Sequence, residues 1–193
     1  MTKALLLVIL IPTLHSYGQN NIPSRNISMS NQDTITYIQK GIEFIKQVER
    51  QSLMNSKFIL SNKPVSPVFN HCIGNLLVDT ATFTKDELIF LKAQQFISIP
   101  LWKQKHFPNI NLINLDSLKA MSTGNLNWWD FFYENVGREY SIFSFPLFLR
   151  NYTYCIFYSD NNCGLLCGQG MLSLYKKEND KWVVVKFYCF WIS

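Results

Sequence analysis

From Gly137 onward the chain reads with a period of two. Residues 140–149, 152–159, 171–177 and 181–191 alternate or run apolar and are rich in Phe, Tyr, Val and Ile, the side chains that suit a pleated, half-buried surface. Asn179-Asp180 fits a tight turn between the last two runs, and Arg150-Asn151 the turn between the first two. Together they predict a four-stranded antiparallel meander.

The chain before Gly137 has helical spacing instead. Ile35, Ile38, Ile42, Ile45 and Val48 recur at steps of three and four, with Lys40, Glu43, Lys46 and Glu49 between them. This predicts a helix from Asp33 to about Met54 with one apolar face. In Phe83-Thr84-Lys85-Asp86-Glu87-Leu88, Thr84 can accept from the amide of Glu87 while Glu87 reaches back to that of Thr84. Phe83 packs on Leu88 as a staple, so a helix starts here and runs to about Gln95. Further helical turns are expected at 116–120 and 127–135, the latter closed by Gly137. The short apolar runs 57–60 and 75–79 suit strands, and Pro100 and Pro108 bound an irregular segment. Helices followed by strands indicate an α+β fold, with N-terminal helices packed on a C-terminal four-stranded antiparallel meander.

Residues 1–18 read as a signal peptide. Lys3 precedes an apolar core over 4–14, with Ser16 and Gly18 at −3 and −1 of a cleavage site. A spanning helix needs roughly 20 apolar residues, and the chain turns polar at His15. No stable membrane insertion is therefore expected after cleavage. Residues 19–31, polar with Pro23, read as a flexible arm, and 32–193 as a single α+β domain, which at this size can bury a core without a metal or disulfide. The formal charge of +5 falls to +4 without Lys3, and its lysines are scattered. That argues against a nucleic-acid partner.

Five cysteines follow the signal segment: Cys72, Cys155, Cys163, Cys167 and Cys189. An odd count leaves at least one thiol free or paired between chains. A last hairpin turning at Asn179-Asp180 places Cys189 opposite Gly170, and a loop centred near Gly164 and Leu165 places Cys155 opposite Leu174. The two then stand four residues apart along the intervening strand, about 13 Å at ~3.3 Å per residue, which is too far for a bond. Cys163 with Cys167 is the expected disulfide, stapling a glycine loop in an exported protein, with Cys189 the alternative partner. A redox pair would normally be Cys-x-x-Cys at a helix start. Zinc would need two more ligands from His71, Cys72, His106 and Cys189. Neither pattern is met, and no metal or cofactor is expected.

Recognised catalytic patterns are missing as well. Gly164, Gly168 and Gly170 stand before a strand, not before the helix that a phosphate loop needs. Asp130 and Glu134 share a helix with Trp128, Trp129, Phe131 and Phe132, a cluster that reads as core with a solvated edge. His71 and His106 have no nucleophile motif beside them. Asn26-Ile-Ser28 and Asn151-Tyr-Thr153 match the glycosylation sequon, which matters only in a eukaryotic secretory pathway.

The segment Trp129 to Tyr133, Ser144-Phe145-Pro146-Leu147-Phe148, the stretch Cys163 to Gly170, the Lys-Lys-Glu-Asn turn with Lys181-Trp182, and the ending Trp191-Ile192-Ser193 resemble an uncharacterised family of small exported bacterial proteins with a Cys-Gly-x-Leu-Cys-Gly loop. The likeness covers the C-terminal third. It departs from the family pattern at Leu165 and Asp180, where glycine is usual. The resemblance implies an exported Gram-negative protein and carries no catalytic residues.

The sequence thus leads to a periplasmic or secreted, non-catalytic binding or accessory domain with an unknown protein or small-molecule partner. Gly164, Gly168, Gly170, Trp128 and Trp129 are the expected contact surface, since recognition concentrates on loops held by a rigid sheet. The rival is a hydrolase with its cleft between the Trp128 helix and the sheet.

Overall fold

A computed structural model describes residues 31–68, 73–94, 99–122 and 127–193. The signal segment, nearly all of the arm, His71 and Cys72 lie outside the described residues. The elements run α1 (Asn31–Val48), α2 (Arg50–Met54), β1 (Ile59–Ser61), α3 (Ile73–Leu77), α4 (Lys85–Ala93), β2 (Asn111–Ile113), α5 (Leu115–Met121), α6 (Trp128–Asn135), β3 (Tyr140–Phe143), β4 (Leu147–Leu149), β5 (Tyr154–Gly164), β6 (Cys167–Glu178) and β7 (Lys181–Ile192).

The α+β reading stands, but the sheet is larger than a meander. It has seven strands in the order β2-β1-β3-β5-β6-β7, with β4 also pairing β5. β1 runs parallel to both β2 and β3, so the sheet is mixed. The three-residue strands β1 and β2 are too short to show a period. Helices cover both faces. Tyr37, Phe44 and Ile45 of α1 pack with Phe143, Phe157 and Tyr175 on one side; α3 and α4 bring Leu76, Phe90 and Leu91 against Ile156, Leu172 and Leu174 on the other. Beside them α5 and α6 cover Ile59, Ile113 and Tyr140.

Several local expectations change. The run 140–149 is not one strand, because Pro146 has no N–H to offer and the pairing breaks between β3 and β4. The break is filled by side chains. The Ser144 hydroxyl accepts from Tyr158 N at 2.8 Å, and the Tyr37 hydroxyl donates to Pro146 O and accepts from Phe148 N. That anchors α1, whose buried face is led by Tyr37, Phe44 and Ile45, while Ile35 is exposed. Gly41 permits the approach, since a Cβ there would press on the Phe145 ring at 3.3 Å. Residues 75–79 are not a strand: Asn75 lies within α3, whose Leu76 is buried.

The final hairpin turns at Asn179-Asp180, both with positive φ. Its register is then shifted twice, leaving Val185 and Tyr188 as extra residues on β7. Cys189 consequently faces Leu172, and Gly170 faces Trp191. In the preceding pair Cys155 faces Tyr175, one residue from the expected Leu174, because Leu165 and Leu166 form the turn between Gly164 and Cys167.

Candidate functional site

Cys163 and Cys167 stand at disulfide distance, with Cα atoms 5.0 Å apart. Cys189 is also disulfide-bonded. Cys155 is free and fully buried, and burial pushes its thiol well above the usual range. It belongs to the core. Among the described residues no group of three or more His, Cys, Asp or Glu is placed to hold a metal.

The glycines expected to form a contact surface are already occupied. Trp191 lies over Gly170 and Gly168; a Cβ at Gly170 would collide with the indole Nε1 and the Tyr158 hydroxyl. That indole donates to the Tyr158 hydroxyl at 3.1 Å. At Gly164 a Cβ would meet the Tyr133 hydroxyl, which donates to Cys163 O at 2.6 Å and ties α6 to the loop. The glycines make room for aromatic side chains. Trp129 is buried on α6 and stacks on Tyr140 at 5.7 Å, with Phe132 beside both. Trp128 is half-buried against Phe132, with the Lys119 ammonium over its ring. The space between α6 and the sheet is taken by these rings.

A cleft of about 430 Å³ opens elsewhere, where α1 gives way to α2 above the sheet. Ser141 on β3, Asn161 on β5 and Gln169 on β6 are cross-strand partners in a single row. All three line the cleft, with Ser159 and Met171 in the next row. Glu49, Ser52 and Asn55 bound it from the helical side, and Phe190 from β7. Asn161 Nδ2 reaches Ser141 Oγ at 3.5 Å. The Glu49 carboxylate accepts from Ser52 Oγ at 3.0 Å, and Ser159 supplies a second hydrogen bond. Burial outweighs both and pushes the Glu49 carboxyl above the usual carboxylate range. Among the described residues the lining includes carboxylates but no Lys, Arg or His.

Asp160 borders the same cleft, but its carboxylate is engaged within the sheet. It accepts from Ile142 N at 3.0 Å, Asn162 Nδ2 at 2.9 Å and the Tyr158 hydroxyl at 3.1 Å. Burial nevertheless raises it to about 6. Of the residues singled out in the sequence, none lines this cleft except Gly170. The legible signal was Ser159 and Asn161 continuing the inward register of Cys155 and Phe157, polar positions where the pattern called for apolar ones.

Comparison of the chain with protein families, curated proteins and solved structures finds no match.

Proposed function

We propose that the chain is an exported, non-catalytic binding domain whose ligand site is the cleft over Ser141, Asn161 and Gln169. The observation that carries this reading is the convergence of uncharged donors and acceptors from three strands and α2 on one opening. Planar amides, serine hydroxyls and a bordering aromatic, Phe190, 60% exposed, suit an uncharged, hydroxyl-rich ligand such as a short oligosaccharide. With no cation among the described lining residues, the only charged groups an anionic ligand would meet are carboxylates. Export rests on the apolar segment 4–14 and accords with the paired Cys163 and Cys167. Among the described residues no helix is long and apolar enough to cross a membrane.

Titration of the whole protein against a panel of neutral oligosaccharides tests the reading. One ligand should bind per chain, and Asn161→Ala with Gln169→Ala should weaken it at least ten-fold without lowering the melting temperature. Unchanged affinity in that double variant would move the site elsewhere.

A hydrolase is the second reading, favoured by one feature of the same cleft: the carboxyl of Glu49, which burial pushes up, shares it with that of Glu139. Glycosidases commonly work with a pair of Asp or Glu side chains flanking the scissile bond. Turnover of chromogenic glycosides that vanishes in Glu49→Gln would select it over simple binding.

A further inference from the structure

A second opening of about 500 Å³ lies between α1 and the segment following Pro100. Its wall is apolar: Ile35, Ile38 and Ile42 from α1 face Leu101, Trp102 and Phe145. Ile35 and Leu101 are 57% and 48% exposed, so the wall is only partly covered by the protein itself. Its rim is basic. Lys46, Lys103 and Lys105 stand along it against the single carboxylate of Glu43.

Local structure fixes this pairing of apolar wall and basic rim. Trp102 N donates to Asn62 O at 2.7 Å, and its ring stacks on Phe145 at 5.3 Å. Lys103 N donates to His106 Nδ1 at 3.2 Å, which closes the turn carrying Lys103 and Lys105. Burial and the charges of Lys105, Lys103 and Lys46 all lower the His106 pKa, so the three ammonium groups act on one place. The Trp102 indole N–H is buried without a partner among the described residues.

We propose that this groove binds a single-chain anionic amphiphile, the alkyl chain lying along Ile38, Ile42 and Leu101 and the acid head group held by Lys46, Lys103 and Lys105. Charge complementarity selects this occupant. A neutral apolar ligand would leave three ammonium groups without partners, and a cationic one would be repelled. The volume falls within the range of small-molecule sites.

Titration of the full chain with dodecanoate below its micellar concentration, followed by calorimetry, tests the assignment. One dodecanoate should bind per chain, and decanoate should bind about fifteen-fold more weakly, because each buried methylene tightens binding about four-fold. 1-Dodecanol should bind at least ten-fold more weakly and dodecyltrimethylammonium not at all. Lys103→Glu with Lys105→Glu should lose at least ten-fold in dodecanoate affinity at an unchanged melting temperature. Ile42→Trp should block the groove, with Ile42→Met retaining binding. No saturable dodecanoate binding, equal affinity for the alcohol or the cation, or indifference to the charge reversal would each overturn the proposal. Sedimentation with phosphatidylglycerol vesicles in the absence of dodecanoate binding would also overturn it and assign the lysines to a lipid surface instead.

Discussion

Arg150 grips Glu87 through both carboxylate oxygens, Nε to Oε1 at 2.8 Å and Nη2 to Oε2 at 2.9 Å. The same carboxylate accepts from Thr84 N and completes the capping box of α4. One buried group therefore starts a helix and holds the turn between β4 and β5. Arg150 itself sits at positive φ, together with Asn151 and Tyr152, and its second Nη2 contact, with Thr82 O at 2.7 Å, locks that conformation.

Removing Arg150 should cost more than removing the cap. Thr84→Ala loses one cap acceptor, about 1 kcal/mol, whereas Arg150→Ala strands a carboxylate whose side chain is only 4% exposed, about 2–4 kcal/mol. Chemical denaturation of the two variants gives the order directly. Equal losses would show that the ion pair adds nothing beyond the cap.

Stability should peak in mildly acidic solution. Burial alone would raise the Asp79 carboxyl, but Lys186, Thr82 and Tyr188 together hold it well below its usual value; the bonds from Arg150 and Thr84 likewise lower Glu87 against its burial. Depressed folded-state values mean that this stabilisation is present above pH ~4 and is lost as pH falls through them. Asp160 has the opposite sign. Raised to about 6 by burial, it favours the folded state most below pH ~4, and that contribution, roughly 2–3 kcal/mol, fades as pH rises through about 6. Melting curves from pH 3 to 8 should show both limbs, and Asp160→Asn should flatten only the upper one.

Gly170→Ala should displace the Trp191 ring, since the new methyl would occupy the place of the indole nitrogen. The expected loss is about 1–3 kcal/mol, typical of overpacking, with a changed near-ultraviolet circular dichroism signal. Trp191→Ala in the same background should recover part of it. A Gly170→Ala protein with native spectrum and stability would contradict the packing described for this strand pair.

Opening the Cys163–Cys167 pair closes no long loop, so Cys163→Ser with Cys167→Ser should cost only about 2 kcal/mol. Amide exchange should accelerate at Gly164, Leu165 and Leu166 more than elsewhere. Cys155, buried in the core, should react with a thiol reagent only at the rate of unfolding. Non-reduced peptide mapping should recover Cys163 linked to Cys167 and name the partner of Cys189.

The parts of the fold that were readable in the sequence are those that local chemistry decides. The capping box at Thr84 and Glu87 and the turn at Asn179-Asp180 depend on neighbours within four residues. Parallel pairing of β1 with β2 joins Ile59 to Asn111, and nothing local to either residue encodes that. The cleft was hidden for the same reason. Ser141, Asn161 and Gln169 become a row only once three strands take their register, and Glu49 reads in the sequence as a solvated position on a helix. The glycine loop carries the same ambiguity, because a glycine under a tryptophan looks the same in sequence as a glycine under a ligand.

The two extra residues on β7 bear on solution behaviour. β7 lies at the end of the sheet, and Val183, Val184, Val185, Phe187, Phe190 and Ile192 along it are exposed, a composition that in a flat strand invites stacking into fibrils. With Val185 and Tyr188 inserted, no stretch of its ladder longer than four residues is regular, so an incoming strand meets a crooked template. A chain lacking Val185 would gain a straighter rim, and colloidal stability, not the melting temperature, is where that loss would first be felt.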